Sequence, residues 1–205
     1  MKIVYACLGI LALFSTGCAH QVTFDKPAPY SISAARQDIG VTAIIDQETL
    51  MKKVPIRSFT TGIAHSWEIE PGDMLKQIAG IELPQMFSNY EFSNIYREPT
   101  NAGNWIALEL AIPSYQFEDF RAKVSVTATA YRSGKASFLQ KTYSAEGQTQ
   151  GSKMFSAGAF GMKSAIRQSS LDAYKKIFAE LRADLIRALQ GQSVTNNPDT
   201  LTPES

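Results

Sequence analysis

Two hydrophobic periods alternate along this chain. From Trp105 to Ile112 every second residue is apolar, so Ile106, Leu108, Leu110 and Ile112 share one face of a strand. Ala122 to Tyr131 alternates in the same way. Val124, Val126, Ala128 and Ala130 point inward there, and Lys123, Ser125, Thr127 and Thr129 outward. Ser133-Gly134 is a two-residue hairpin signal, and Ala136 to Ala145 is the returning strand. One-face alternation predicts antiparallel strands with one wet or lightly covered side. Ile39 to Ile45 is a β-branched, apolar run and predicts a buried strand. Arg57 to Trp67 predicts a second strand with Gly62 at a bulge, and Tyr90 to Tyr96 another.

Elsewhere the period is helical. Pro71 suits a first helical position and Asp73 a first turn, and Met74, Ile78 and Ile81 follow at helical spacing. Gly80 and Pro84 weaken or kink the end of that helix. A long helix is predicted over Met162 to Gln190. Its stripe is Ala173, Ile177, Leu181, Leu185 and Leu189, joined by Tyr174 and Phe178. Asp172 and Lys176 form a favourable i, i+4 pair. Gly151 to Gly161 reads as a small-residue loop. Its Met154, Phe155 and Phe160 either pack under the sheet or form an apolar patch. The order of elements predicts an α+β fold, a mainly antiparallel sheet with two helices packed on one face, over residues 39–190.

Two polar tails flank that domain. Residues 191–205 carry two prolines and few apolar groups, which predicts a disordered tail. Residues 18–38 hold Pro27, Pro29 and scattered small polar residues, which predicts a tether with a short strand at Val22–Phe24. Extended at about 3.3 Å per residue, residues 19–38 would reach roughly 66 Å.

The first residues have a character of their own. Lys2 precedes Ile3 to Phe14, a twelve-residue run without charge. As a helix that run spans about 18 Å, too little for a hydrocarbon core of about 30 Å. Residues 1–17 therefore read as a secretory signal peptide, and no later run reaches the length of a membrane span. The run ends in Ser15-Thr16-Gly17-Cys18. This FSTGC segment resembles the lipobox of bacterial lipoproteins. The resemblance implies that the Cys18 thiol receives a diacylglyceryl group. A peptidase recognising Ser15, Thr16 and Gly17 then cuts before Cys18, and the new amine is acylated. Ser15 stands where the family favours Leu. Ser15 and Gly17 also satisfy the small-x-small rule of the ordinary signal peptidase, which would leave a soluble periplasmic product. A cytosolic protein with a buried N-terminal helix is the third reading. Ala19, rather than Asp, follows the cysteine. By the same resemblance that implies the periplasmic face of the outer membrane. Three acyl chains anchor stably where one does not.

Composition narrows the function further. Net charge is +1, from 20 Lys+Arg against 19 Asp+Glu, which argues against a nucleic-acid partner. Cys7 and Cys18 are the only cysteines, so the processed chain has no disulfide and no thiolate metal site. His20 and His65 are the only histidines and stand in no metal-ligand spacing. The stretch 158–164, GAFGMKS, departs from a phosphate loop. Met162 separates Gly161 from Lys163, and Ser156 stands where the first glycine belongs. Glu118 and Asp119 read as solvated turn residues, and no GxSxG elbow occurs. No catalytic, cofactor-binding or metal-binding residue is therefore assigned, and the protein reads as a non-enzyme.

Over most of residues 39–190 the element order resembles the YajG-like lipoproteins and the lipoproteins auxiliary to ABC-type lipid transporters. That resemblance implies envelope maintenance or transport assistance without catalysis. The expected partners are the membrane, through the N-terminal acyl chains, and an envelope protein. The alternative is a carrier of a lipid or small apolar ligand in a pocket between sheet and helices.

Overall fold

The alternating strands form one continuous antiparallel run: β6 (Trp105–Glu118), β7 (Arg121–Arg132) and β8 (Ser137–Glu146). Leu108 pairs with Ala130, which pairs with Leu139, and all three are buried on one face. β2 (Gln37–Ile44) and β5 (Phe87–Ser93) complete a five-stranded sheet in the order β5-β2-β6-β7-β8. The structure is a computed structural model that describes residues 19–25, 27–57, 66–96, 104–132 and 136–191. Residues 1–17, Cys18, Gly62, His65, Ser133-Gly134 and residues 192–205 lie outside that range, as do the side chains of residues 151–160.

The fold is α+β, with a correction to the sheet. β2 pairs in parallel with both β5 and β6, so the sheet is mixed rather than mainly antiparallel. The Ile39–Ile45 run already carried the reason. Val41, Ala43, Ile44 and Ile45 are all buried, as in a strand covered on both faces. A second, three-stranded sheet has the order β1-β4-β3. It consists of β1 (Ala19–Val22), β3 (Val54–Arg57) and β4 (Ser66–Ile69). Of the strand expected from Arg57 to Trp67, residues 58–65 lie outside the described residues; Arg57 ends β3 and Ser66 opens β4, which pair antiparallel.

There are three described helices instead of two. α1 (Gln47–Met51) is a single turn whose N-cap, Asp46, accepts from Thr49 N at 2.6 Å. α2 (Pro71–Met86) packs against β5, β2 and β6, and runs through Pro84 to its end. α3 (Gly151–Leu189) covers β7 and β8. It begins eleven residues before Met162, so the expected loop from Gly151 to Gly161 is helical backbone. The predicted stripe is in place: Ala173, Tyr174, Ile177, Phe178, Leu181 and Leu185 are each at most 1% exposed.

Two local features shape β6 and β7. Register shifts between Ala111 and Ser114, around Pro113, so the inward positions change from Ile106, Leu108 and Leu110 to Tyr115. Lys52 Nζ donates to the Ile112 carbonyl there at 2.9 Å. The β6–β7 turn is Asp119-Phe120, both with positive φ, 49° and 59°. That backbone is a type I′ hairpin made without glycine.

The segment expected as a tether is docked instead. Val22 and Phe24 are 1% and 6% exposed, and Pro27 is buried. Apolar side chains at alternate positions, together with donors waiting on α2 and α3, hold residues 19–36 against the domain rather than in solvent.

Each buried leucine on α3 replaces water contact with close packing. Leu181→Ala or Leu185→Ala is expected to lower stability by about 2–5 kcal/mol in urea melts. Gly147 tests the approach of β8 to α3. A Cβ there would lie 1.9 Å from the Ser169 carbonyl oxygen, so backbone has to move. Gly147→Ala is expected to cost about 1–3 kcal/mol in the same assay.

Candidate functional site

The docked N-terminal segment and the surface it creates form the candidate site. β1 pairs in parallel with β4, Ala19 against Ser66 through Val22 against Ile69. The His20 ring lies 5.0 Å from that of Trp67, tilted by 34°. Beyond β1, polar side chains of the helices hold the backbone. Arg167 on α3 donates from Nε to the Thr23 carbonyl at 2.6 Å, and its two terminal nitrogens grip the Asp25 carboxylate as a fork. Gln77 Nε2 on α2 donates to the Phe24 carbonyl at 3.2 Å. Gln85 accepts from Ile32 N at 3.1 Å and donates to the Tyr30 carbonyl at 3.0 Å. Arg36 donates to the carbonyls of Phe87 and Ser88, at 3.2 Å each.

The deepest of these contacts is charged. Tyr30 donates its hydroxyl to Glu82 Oε1 at 2.8 Å, and Arg182 Nη1 donates to Glu82 Oε2 at 2.9 Å. Lys175 Nζ sits 4.1 Å over the Tyr30 ring. Glu82 is 2% exposed. Burial raises its pKa above the ordinary carboxylate range, although Tyr30, Arg182 and Lys175 all pull the other way. Burial also raises the Tyr30 phenol, with the Glu82 hydrogen bond adding to it. A second buried carboxylate, Asp184, accepts from Lys141 at 2.9 Å and from the Tyr143 hydroxyl at 3.0 Å, and pairs with Arg187 at 2.8 Å. Both carboxylates have their oxygens engaged by tyrosine hydroxyls and by cations that reach in from the surface.

Below Asp25 an open cleft of about 450 Å³ separates residues 24–27, the first turn of α2 and α3. Phe24, Pro27, Met74 and Leu171 make it apolar, and Lys163 and Arg167 stand at its rim. The expected ligand space between the sheet and the helices is different. Leu75, Ile78, Leu83, Ile106, Leu108, Val126 and Phe178 fill it, each at most 1% exposed. The chemistry-bearing residues of the sequence are not gathered here. Ser15, Thr16, Gly17, Cys18 and His65 lie outside the described residues. Lys163 and Ser164 sit within helical turns of α3, where no phosphate-cradling loop exists. Glu118 pairs with Lys123 at 3.1 Å, and Asp119 forms the hairpin turn. Among the described residues no group of three or more His, Cys, Asp or Glu is placed to hold a metal. The residues that matter most in the site, Tyr30, Glu82, Arg167 and Arg182, carried no sequence signal beyond their polarity. The prolines preceding Tyr30, Pro27 and Pro29, suggested a solvated tether.

A mixed five-stranded sheet carrying helices on one face, with a small second sheet, is the class of fold defined here. No family model matches the chain, and no curated protein matches it. Among solved structures the fold is similar to that of protein XCC0632 from Xanthomonas campestris, described under the family model DUF330. The TM-score is 0.50 at 12% identity, over 85% of this chain and 97% of that one. Protein CT253 from Chlamydia trachomatis matches with a TM-score of 0.41 at 8% identity, over 75% of this chain and 99% of its own. An uncharacterized protein matches with a TM-score of 0.41 at 11% identity, over 83% and 99% of the two chains. The likeness to XCC0632 is one of fold.

The raised pKa of Glu82 has a definite sign in stability. A carboxyl whose folded pKa lies above its unfolded value holds its proton longer in the native state. Stability therefore falls as pH rises from the ordinary glutamate range of about 4.3 through the folded pKa, and is level above it. Glu82→Gln is expected to flatten that fall in urea melts taken from pH 4 upward. An unchanged profile would mean that Glu82 titrates as it does in the unfolded chain. Arg167→Ala is expected to speed amide exchange across residues 20–25 selectively, leaving β7 protected.

Proposed function

We propose that this chain is a lipid-anchored accessory module of the bacterial cell envelope, held on the periplasmic face of the outer membrane by acyl chains on Cys18 and working through contacts with another envelope protein. The reading begins from Ser15-Thr16-Gly17-Cys18 after an uncharged run. The observation that carries it further is the place where the fold starts. Ala19, the next residue, opens β1, and Val22 is already in the core. An acylated Cys18 would then join the domain with almost no free chain between them. The module is proposed to sit against the leaflet in one orientation, rather than to sweep a wide shell.

The reading is non-catalytic. The two deeply buried carboxylates, Glu82 and Asp184, are engaged by cations and phenols, and the described histidine, His20, lies against Trp67. Among the described residues no helix is long and apolar enough to cross a membrane, so the proposed attachment rests on Cys18 alone. The coarse expectation from the likeness to auxiliary lipoproteins, envelope maintenance or transport assistance, fits this arrangement. One observation favours carriage of an amphiphile as a second reading: the 450 Å³ cleft joins an apolar wall to Lys163 and Arg167. Met74→Trp would close that cleft and should abolish any saturable uptake of a fluorescent fatty acid.

The anchor has a direct test. In envelope fractions the wild-type N-terminal peptide is expected to carry a diacylglyceryl thioether by mass spectrometry. Cys18→Ser is expected to leave the protein unprocessed or soluble. An unmodified Cys18 on the mature wild-type protein would remove the basis for the proposal. Inserting twenty Gly/Ser residues between Cys18 and Ala19 would add roughly 25 Å of flexible chain. If fixed orientation matters, a strain carrying that insertion should lose function while the domain still melts normally.

A further inference from the structure

We propose that a cleft on the face of the five-stranded sheet turned away from α2 and α3 receives an arginine or lysine side chain of a protein partner, while Met51, Ile95 and Tyr96 beside it take the partner's neighbouring apolar residues. The cleft holds about 220 Å³, and Ile44, Asp46, Tyr96, Glu109, Thr127 and Thr129 line it. That is below the usual range for a small-molecule pocket and suits one long side chain.

Charge is the first argument. Glu109 stands in mid-strand, paired with Ile44 on one side and Thr129 on the other, and is only partly exposed. Its hydrogen bond is from the Tyr131 hydroxyl at 3.2 Å, and it has no ion pair among the described residues. Asp46 commits one oxygen to Thr49 N and has no ion pair among them either. Elsewhere in the fold the buried carboxylates Glu82 and Asp184 have cations within 2.9 Å. A half-buried carboxylate with no counter-charge among the described residues, facing a cleft that a second carboxylate shares, is complementary to an incoming cation. Two carboxylates are too few to cage a metal, whereas a guanidinium or ammonium needs only one or two. Tyr96 and Tyr131 meet edge to face, with centroids 6.1 Å apart, and offer ring surface for cation–π contact.

The apolar rim is the second argument. Met51, Ile95 and Tyr96 are 62%, 60% and 49% exposed, the exposed large apolar side chains among the described residues. They are contiguous with the cleft. Asp46 caps the helix that ends in Met51, and Asn94 Nδ2 donates to Gln47 Oε1 at 3.1 Å, which joins α1 to the segment carrying Ile95 and Tyr96. Apolar side chains around a pocket that takes an arginine are the composition of a protein interface. This proposal rests on the reading of the chain as an interaction module.

The test uses the full-length protein and a labelled pentapeptide with one arginine between two pairs of valines. Its twin carries citrulline, neutral and of the same shape. Fluorescence anisotropy is expected to show saturable binding of the arginine peptide, about tenfold tighter than the citrulline peptide. Glu109→Gln should erase that difference without moving the melting midpoint. Asp46→Asn, which keeps the helix cap, should reduce it. Ile95→Ser should weaken both peptides. Equal binding of the two peptides, no saturable binding of either, or discrimination that survives Glu109→Gln would each overturn the proposal. Saturable binding of an N-acetylglucosamine oligomer that Glu109→Gln removes would assign the cleft to sugar instead. None of these outcomes touches the anchor, which modification of Cys18 reads separately.

Discussion

Burial of Val22 and Phe24 is the constraint on which the arrangement turns. A strand of four residues cannot hold itself in place. β1 persists because its ladder to β4 is continued by packing beneath α3 and by the Arg167 fork on Asp25. Once the chain is fixed at residues 22–25, residues 27–36 have a short path across α2, and Tyr30 falls on Glu82. The cleft beside Phe24 exists only because that path leaves α3 uncovered between Lys163 and Leu171. Remove the contact and the small sheet loses an edge, Glu82 loses a donor, and a docked domain becomes one on a long leash.

Buried charge sets the position of α3. Glu82–Arg182 joins it to α2, and Asp184 with Lys141 and Tyr143 joins it to β8. Such pairs add little net stability, because desolvation consumes most of the attraction. Their geometry is less forgiving than that of an apolar stripe. A stripe of Ala173, Ile177, Leu181 and Leu185 could slide by a turn and still bury area. The two ion clusters cannot, because each would leave a charge unpaired in the core. Ser169 and Ser170 act at the other end of the contact. Ser169 Oγ accepts from Ala122 N at 2.8 Å. Ser170 Oγ donates to the Ile166 carbonyl, so the Tyr115 hydroxyl must be the donor in their 2.7 Å contact.

Much of the fold was legible where a single period persisted. The alternation of β6 and β7 and the apolar stripe of α3 need no tertiary knowledge, since each buries a face the pattern marks. Strand direction was less legible, because pairing in parallel or antiparallel leaves the same residues inward. The nearly unbroken apolar run from Val41 to Ile45, interrupted only by Thr42, was the available sign. The strands expected at Val22–Phe24 and from Arg57 to Trp67 only overlap the ends of β1, β3 and β4, because four residues are too few to show a period and their partners are distant in sequence. Glu118 and Asp119 were legible as turn residues, but the left-handed backbone of Asp119-Phe120 was not, because no glycine marks it. For the site, polarity misled: Tyr30, Arg36 and Asp25 read as tether residues, yet each has a partner on α2, α3 or β5. The cleft at Glu109 joins strands and loops that no local pattern brings together.

The contact between Thr23 and Arg167 closes a loop of 144 residues. Under the proposed export from the N-terminus, β1 would emerge first and have nothing to pair with until β4 and then α3 had followed. Loops of that length close late in folding. Under the proposed processing at Cys18, the modifying enzymes would meet an extended segment, free of the domain, while the rest of the chain is still arriving. Docking of residues 19–25 would then be the closing step of maturation. A mutation that slowed the completion of α3 would lengthen the time for which residues 19–25 stay undocked, without altering Ser15 to Cys18 at all.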